Sequence, residues 1–260
     1  MSFTAVVVII IAGIFVGFIN TLSGGGSVIS LSLLLLLGLP ANIANGTNRI
    51  SIFFQTLSSV SSFTRQKMFT DLRPVWLAIP ATIGAILGAY LAVDVNTRVI
   101  EIAMAIAMVI MLFFLFYKPD KWLKQNSGLL SGPVRWWQIV IFFIVGFYGG
   151  FIQVGVGYFL LMALVLGVGY DLVKANAVKN LIVFFYAIFA LLVFIIDGKV
   201  NYLYGIILSV GSMIGALIAS YLAVKKGAGF IRAVIVLSVV LTILQISGLI
   251  NFTALLKQIL

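Results

Sequence analysis

The chain has 260 residues, 63% of them hydrophobic and only 8% charged, with a mean hydropathy of +1.26. Soluble domains carry about 25% charged residues, so this composition excludes a water-soluble fold and predicts an all-α polytopic membrane protein with no room for a separate soluble domain. Cysteine and histidine are both absent, which removes disulfides, thiolate chemistry, histidine-assisted nucleophilic sites and His-rich metal sites, and the net charge of +10 sits mainly in short loops, where it serves membrane orientation rather than nucleic-acid binding.

In chain order, apolar runs fall at 4–22, 27–37, 43–64, 74–93, 99–117, 136–150, 157–167, 175–196, 200–224 and 231–250. A spanning helix needs about 20 apolar residues. The runs at 27–37 and 157–167 reach roughly half of that, and each is joined to the preceding run through glycines: Gly24, Gly25 and Gly26 in one case, Gly149, Gly150, Gly155 and Gly157 in the other. Each pair reads as a broken helix or re-entrant hairpin, with two short crossings as the alternative that length alone leaves open. The first run lacks a basic leader and a small-residue cleavage site, and is expected to remain as mature sequence.

The halves repeat. Gly17-Phe18-Ile19-Asn20 is echoed by Gly150-Phe151-Ile152-Gln153, and Ala44-Asn45 by Ala175-Asn176 at an offset of 131. Ile83-Gly84-Ala85 meets Ile214-Gly215-Ala216, and Tyr90-Leu91-Ala92-Val93 meets Tyr221-Leu222-Ala223-Val224, again at 131. Shared hydropathy does not by itself predict Asn, Gly and Tyr in register, so the pattern indicates duplication. The expected organisation is a first membrane repeat at 1–117, a linker at 118–135 and a second repeat at 136–260.

Basic residues then test the topology. If each glycine-broken pair makes one crossing, they divide nine against five between the two faces. If each pair goes in and returns, Arg65, Lys67, Arg73, Lys118, Lys121, Lys124, Arg135, Lys174, Lys225, Lys226 and Arg232 share one face against Arg98, Lys199 and Lys257. The second division is the sharper one. It predicts inverted-topology repeats, both termini outside and a cytoplasmic linker.

Arg49 and Lys179 are the only basic residues outside the loops. Helical spacing puts Asn45, Asn48 and Arg49 on one face, and Asn176, Lys179 and Asn180 on another. Subtracting 131 places Lys179 on Asn48 and Asn180 on Arg49. A buried charge in lipid costs about 2.5–3.5 kcal/mol on insertion scales and needs a partner. The six carboxylates, Asp71, Asp94, Glu101, Asp120, Asp171 and Asp197, all fall in loops or at helix ends. Carbonyl oxygens, an anionic substrate, or snorkelling to an interface are the remaining outlets.

The expected site is a midplane centre in which Arg49, Lys179, Asn45 and Asn176 hold a small anion. Half-helices starting near Ser27 and Tyr158 would turn positive dipole ends toward it. Gly24, Gly25, Gly26, Gly155 and Gly157 expose backbone N–H groups at the tips, Asn20 and Gln153 stand just before the tips as further donors, and Thr47, Asn48 and Asn180 complete the candidates. Gly84, Gly88 and Gly215 are expected to serve close helix packing. Without an intramembrane Asp, Glu or His, neither a proton relay nor a carboxylate sodium site is expected, and no enzyme activity, metal or cofactor. A channel would use similar residues, and a non-transporting scaffold would tolerate their loss.

The sequence resembles the sulfite exporter TauE/SafE family. In the first half the likeness rests on G-F-I-N-T-L-S-G-G-G-S (Gly17 to Ser27), L-L-L-L-L-G-L-P (Leu33 to Pro40) and A-N-G-T-N-R (Ala44 to Arg49). In the second it rests on G-F-Y-G-G-F-I-Q-V-G-V-G-Y-F-L (Gly146 to Leu160) and A-N-A-V-K-N (Ala175 to Asn180). The resemblance implies a bacterial-type inner-membrane exporter of sulfite, thiosulfate or other inorganic or organosulfur anions.

Overall fold

The computed structural model describes residues 3–93, 98–99, 127–130 and 132–246. The run expected at 99–117, most of the linker and the end of the last run lie outside the described residues. Among them every regular element is a helix: α1 (Phe3–Leu22), α2 (Ser27–Leu36), α3 (Ala41–Arg65), α4 (Arg73–Ala92), a single turn α5 (Ser127–Leu130), α6 (Trp136–Phe151), α7 (Val156–Met162), α8 (Leu172–Ile196) and α9 (Tyr202–Ile246). A π-helical turn, Ala163–Val168, continues α7. Helix α9 is interrupted at Gly227, whose φ of 75° and ψ of −168° divide it where the sequence predicts two runs.

Lengths sort the helices. Four are long and apolar enough to span: α1, α4, α8, and α9 over Tyr202–Val240. Helix α2 has 10 residues, which rise about 15 Å, half of the hydrocarbon core. Helix α3 corrects the expectation of an apolar run at 43–64. Its 25 residues are long enough, but its buried face carries Asn45, Thr47, Asn48, Arg49, Ser51, Gln55, Thr56, Ser58 and Ser59. Polar groups at that depth are stable only when protein rather than lipid surrounds them, and α3 accordingly lies at the centre.

Beside it runs α8, started by Asp171, whose Oδ1 accepts the backbone N–H groups of Val173 (2.9 Å) and Lys174 (3.0 Å). The two central helices are antiparallel. Lys174 Nζ donates to Thr70 Oγ1 at one end (2.8 Å), Ser59 Oγ donates to Asn180 Oδ1 (3.2 Å), Phe53 stacks on Phe184 (5.9 Å), and Arg49 lies 5.0 Å over the Phe194 ring towards the other end.

Two parallel glycine-lined pairs flank this centre. A Cβ on Gly13 or Gly17 of α1 would strike the carbonyls of Leu208 or Ser212 on α9, and one on Gly211 or Gly215 would strike those of Ile10 or Ile14. Helix α4 meets α6 in the same manner, Gly84 and Gly88 against Phe143 and Phe147, Gly146 and Gly150 against Ala81 and Ala85. These are small-xxx-small contacts, which bring backbones together where lipid supplies no hydrophobic drive. The packing role expected for Gly84, Gly88 and Gly215 is what they perform. Outer faces carry apolar stripes such as Val7, Ile11 and Phe15 on α1 and Ile206, Val210 and Ile214 on α9.

The backbone also repeats. Left-handed residues recur at an offset of 131: Gly24 and Gly155 (φ 96° and 71°), Gly38 and Gly169 (84° and 95°), Lys67 and Gly198 (57° and 67°).

Candidate functional site

The two glycine breaks bring the ends of α1 and α6 into the interior, and a helix end there leaves carbonyls without intrahelical partners. Each end is completed by the helix at the start of which the opposite half carries its cation. Lys179 Nζ donates to Thr21 O (2.7 Å) and Asn20 O (2.9 Å), and Asn180 Nδ2 also donates to Thr21 O (3.1 Å). Across the protein, Arg49 donates to Gly149 O (3.0 Å) and to Gly150 O, while Asn45 Nδ2 donates to Phe151 O (3.0 Å). A cation at the negative end of a helix dipole is the favourable placement. Arg49 and Lys179 are each 1% exposed, and no carboxylate pairs with either among the described residues. Their depth within the protein overrides the snorkelling alternative.

The expected residues fall into two groups rather than one. Around Arg49 stand Asn45, whose Oδ1 accepts from the guanidinium (3.5 Å), and Gln153, whose Oε1 does the same (3.4 Å). Around Lys179 stand Asn180, Asn176, Asn20 and Thr21; Asn180 Nδ2 donates to Asn176 O (2.9 Å). Antiparallel register sets the groups apart. Since Ser59 is level with Asn180, Arg49 lies roughly eleven residues, about 16 Å, along the axis from the level of Lys179. Side chains on helices lean toward the N-terminus, so the two cations lean away from each other.

Asn20 and Gln153 have different duties despite their matched sequence positions. Asn20 lies in the last turn of α1 and caps α2: its Oδ1 accepts from Ser27 N (3.1 Å), and its Nδ2 donates to Ser27 Oγ (3.2 Å) and Gln55 Oε1 (3.3 Å). Gln153 is outside α6, in the break itself, with a left-handed φ of 69°. The amide at the start of α2 is therefore occupied by Asn20 instead of being open to a ligand. Tyr158 points elsewhere, its hydroxyl 2.7 Å from Ser238 Oγ. Thr47 Oγ1 accepts from Asn201 N (2.9 Å) beneath the α8–α9 turn. Neither faces the two cation groups.

At the tips, Gly24 and Gly157 approach so closely that a Cβ on either would collide with the Cα of the other. Gly26 packs on Val16 O, and Gly25 on the Tyr158 hydroxyl. A Cβ on Gly155 would meet Tyr158 Cδ2 at an ordinary 3.7 Å, so the glycine is required by its left-handed backbone. Ser30, Gln55, Ser59 and Thr21 are members of the polar interior that sequence reading missed. Ser30 Oγ donates to Asn48 Oδ1 (2.7 Å). The dense run of amides and hydroxyls between Asn45 and Ser59 was the available signal.

Buried side-chain atoms without a hydrogen-bond partner include Arg49 Nε, Asn48 Nδ2, Asn176 Nδ2, Thr21 Oγ1 and Tyr186 Oη, the last beside Gly149. The first three are N–H donors and the two hydroxyls can donate, and such donors with positive charge suit an anion.

Comparison with known proteins shows the family. The family described as Sulfite exporter TauE/SafE matches residues 9–246. The chain is similar to a probable membrane transporter protein, ORF9, of Sinorhizobium sp (26% identical, covering 91% of this chain and 90% of the relative). It is also similar to a probable membrane transporter protein of Haemophilus influenzae (29%, 86% and 88%) and to the probable membrane transporter protein YfcA of Escherichia coli K12 (30%, 85% and 81%). No solved structure matches the chain. With nearly its whole length matched and its apolar helices arranged for a bilayer, this multi-pass membrane protein belongs to the sulfite exporter TauE/SafE family of membrane transporters.

Proposed function

We propose that the protein exports small sulfur-containing anions, such as sulfite, thiosulfate or organosulfonates, across the inner membrane by alternating access between two inverted halves. The observation that carries this reading is the pair of buried cations, Arg49 and Lys179, without a carboxylate partner among the described residues and beside donors that have no partner of their own. An anion supplies both the missing countercharge and the missing acceptors. The antiparallel course of α3 and α8, which the 131 offset makes equivalent, supports inversion of the halves. The basic-residue distribution supports a cytoplasmic 118–135 linker with both termini outside.

The carbonyl contacts of Arg49 and Lys179 favour a second reading, in which both residues serve only the fold and the protein is a scaffold. Uptake of labelled sulfite and thiosulfate into proteoliposomes separates the two. Saturable flux in the wild type that is lost in folded Lys179→Ala supports the transporter. Equal inertness of both proteins toward both anions supports the scaffold, and flux that never saturates points to a channel.

A further inference from the structure

We infer that the protein holds two sulfur oxyanions at once, one at an outer station beside Arg49 and one at an inner station beside Lys179, rather than a single anion gripped by both cations. This rests on the anion-transport reading above and resolves its site into two.

Three observations carry it. The first is separation. The contacts between α3 and α8 put Ser59 level with Asn180 and Arg49 level with Phe194, so the cations stand about 16 Å apart along the helices, far beyond the span of a tetrahedral oxyanion. The second is that each station is built alike. The inner one has Lys179, 1% exposed, with Thr21 Oγ1 and Asn176 Nδ2 unpartnered; the outer one has Arg49, 1% exposed, with its own Nε unpartnered, and the preceding residue Asn48, whose Oδ1 is held by Ser30, has an unpartnered Nδ2. Asn48 occupies in the first half the position that Lys179 occupies in the second, so each station draws on equivalent positions. The third is the packing of the breaks: the α1–α2 and α6–α7 breaks meet at Gly24 and Gly157 with no space for a Cβ on either. Two separate cationic stations beside tightly packed breaks are what sequential occupancy requires. An anion arriving at one station repels the one already at the other, which eases release, as in multi-ion pores.

The test is equilibrium dialysis of the full chain in detergent against radiolabelled sulfite. We expect two bound anions per chain. Asn48→Ala, which leaves Ser30 Oγ its bond to Ser27 O (3.1 Å), weakens one binding step, and Thr21→Val, which leaves the backbone carbonyl that Lys179 uses, weakens the other, each by about tenfold or more. In the double variant both steps are weak. One anion per chain, affected by both substitutions, overturns the two-station inference and keeps the anion reading. One anion affected by a single substitution leaves only one station and overturns it as well. Absence of saturable binding for sulfite and, in the same assay, for thiosulfate and methanesulfonate overturns the anion-transport reading itself, and this inference with it. Circular dichroism and unfolding temperature of each variant separate lost binding from lost fold.

Discussion

Lys67 and Gly198 hold the same left-handed backbone conformation, φ 57° and 67°, two residues past the ends of matching 25-residue helices. The hydrogen bonds match as well. Lys67 N donates to Thr64 O (3.0 Å) and Met68 N to Phe63 O (3.0 Å), while Gly198 N donates to Ile195 O (3.1 Å) and Lys199 N to Phe194 O (2.9 Å). Glycine adopts this conformation without cost, whereas a residue with a Cβ pays about 1–2 kcal/mol. Lys67→Gly is therefore expected to raise stability by about 1 kcal/mol, with part of the relief offset by glycine's freedom in the unfolded chain. Its unfolding temperature in detergent, compared with the exposed Arg65→Gly, is the measurement, and a lower value for Lys67→Gly would contradict the shared cap.

Lys179 satisfies two carbonyls of α1 from a buried position. Lys179→Met keeps the length of the side chain and removes its donors, leaving Asn20 O without its 2.9 Å contact while Asn180 still reaches Thr21 O. An unsatisfied buried group costs about 1–3 kcal/mol, so the variant unfolds earlier than the wild type. Lys179→Arg retains donors and should recover part of that loss. Unfolding profiles of the two variants side by side give the answer, and equal stability of Met and Lys would show that the carbonyls find other partners.

Glycines of the two helix pairs should respond differently from those at open positions. Gly215→Ala drives a Cβ into the carbonyl of Ile14 and is expected to destabilise by about 1–3 kcal/mol through forced backbone separation. Gly229→Ala meets nothing within 4 Å and has no left-handed φ, so it should be neutral or stabilise by up to about 1 kcal/mol through helix propensity. The contrast between the pair, measured by thermal unfolding, is the check.

Inversion of the halves has a direct readout because the chain has no cysteine of its own. Arg65→Cys and Asp197→Cys sit at the ends of α3 and α8, both exposed. A membrane-impermeant maleimide is expected to label Asp197→Cys from outside intact cells and Arg65→Cys only after permeabilisation. Labelling of both from one face would exclude antiparallel repeats.

Sequence alone was sufficient for the membrane class, because apolar runs about 20 residues long have no stable place in water. It pointed to a duplication, because Asn, Gly and Tyr recur in register, and it was sufficient for the short half-helices at 27–37 and 157–167, which the structure renders as α2 and as α7 with its π turn. The glycine runs were legible as breaks, yet their reasons were not: Gly24 and Gly157 exist for each other, across 133 positions of chain.

Only tertiary structure decided how the buried cations are used. Sequence placed Arg49 and Lys179 on helix faces with amides and found no carboxylate for them, which pointed to an anion, with carbonyls and snorkelling as the other outlets. Periodicity describes one helix at a time, whereas the partners of these side chains are the ends of helices from the opposite half, Thr21 O for Lys179 and Gly149 O for Arg49. The antiparallel register of α3 and α8 then separates the two cations along the helix axes, a distance that no spacing within either helix contains.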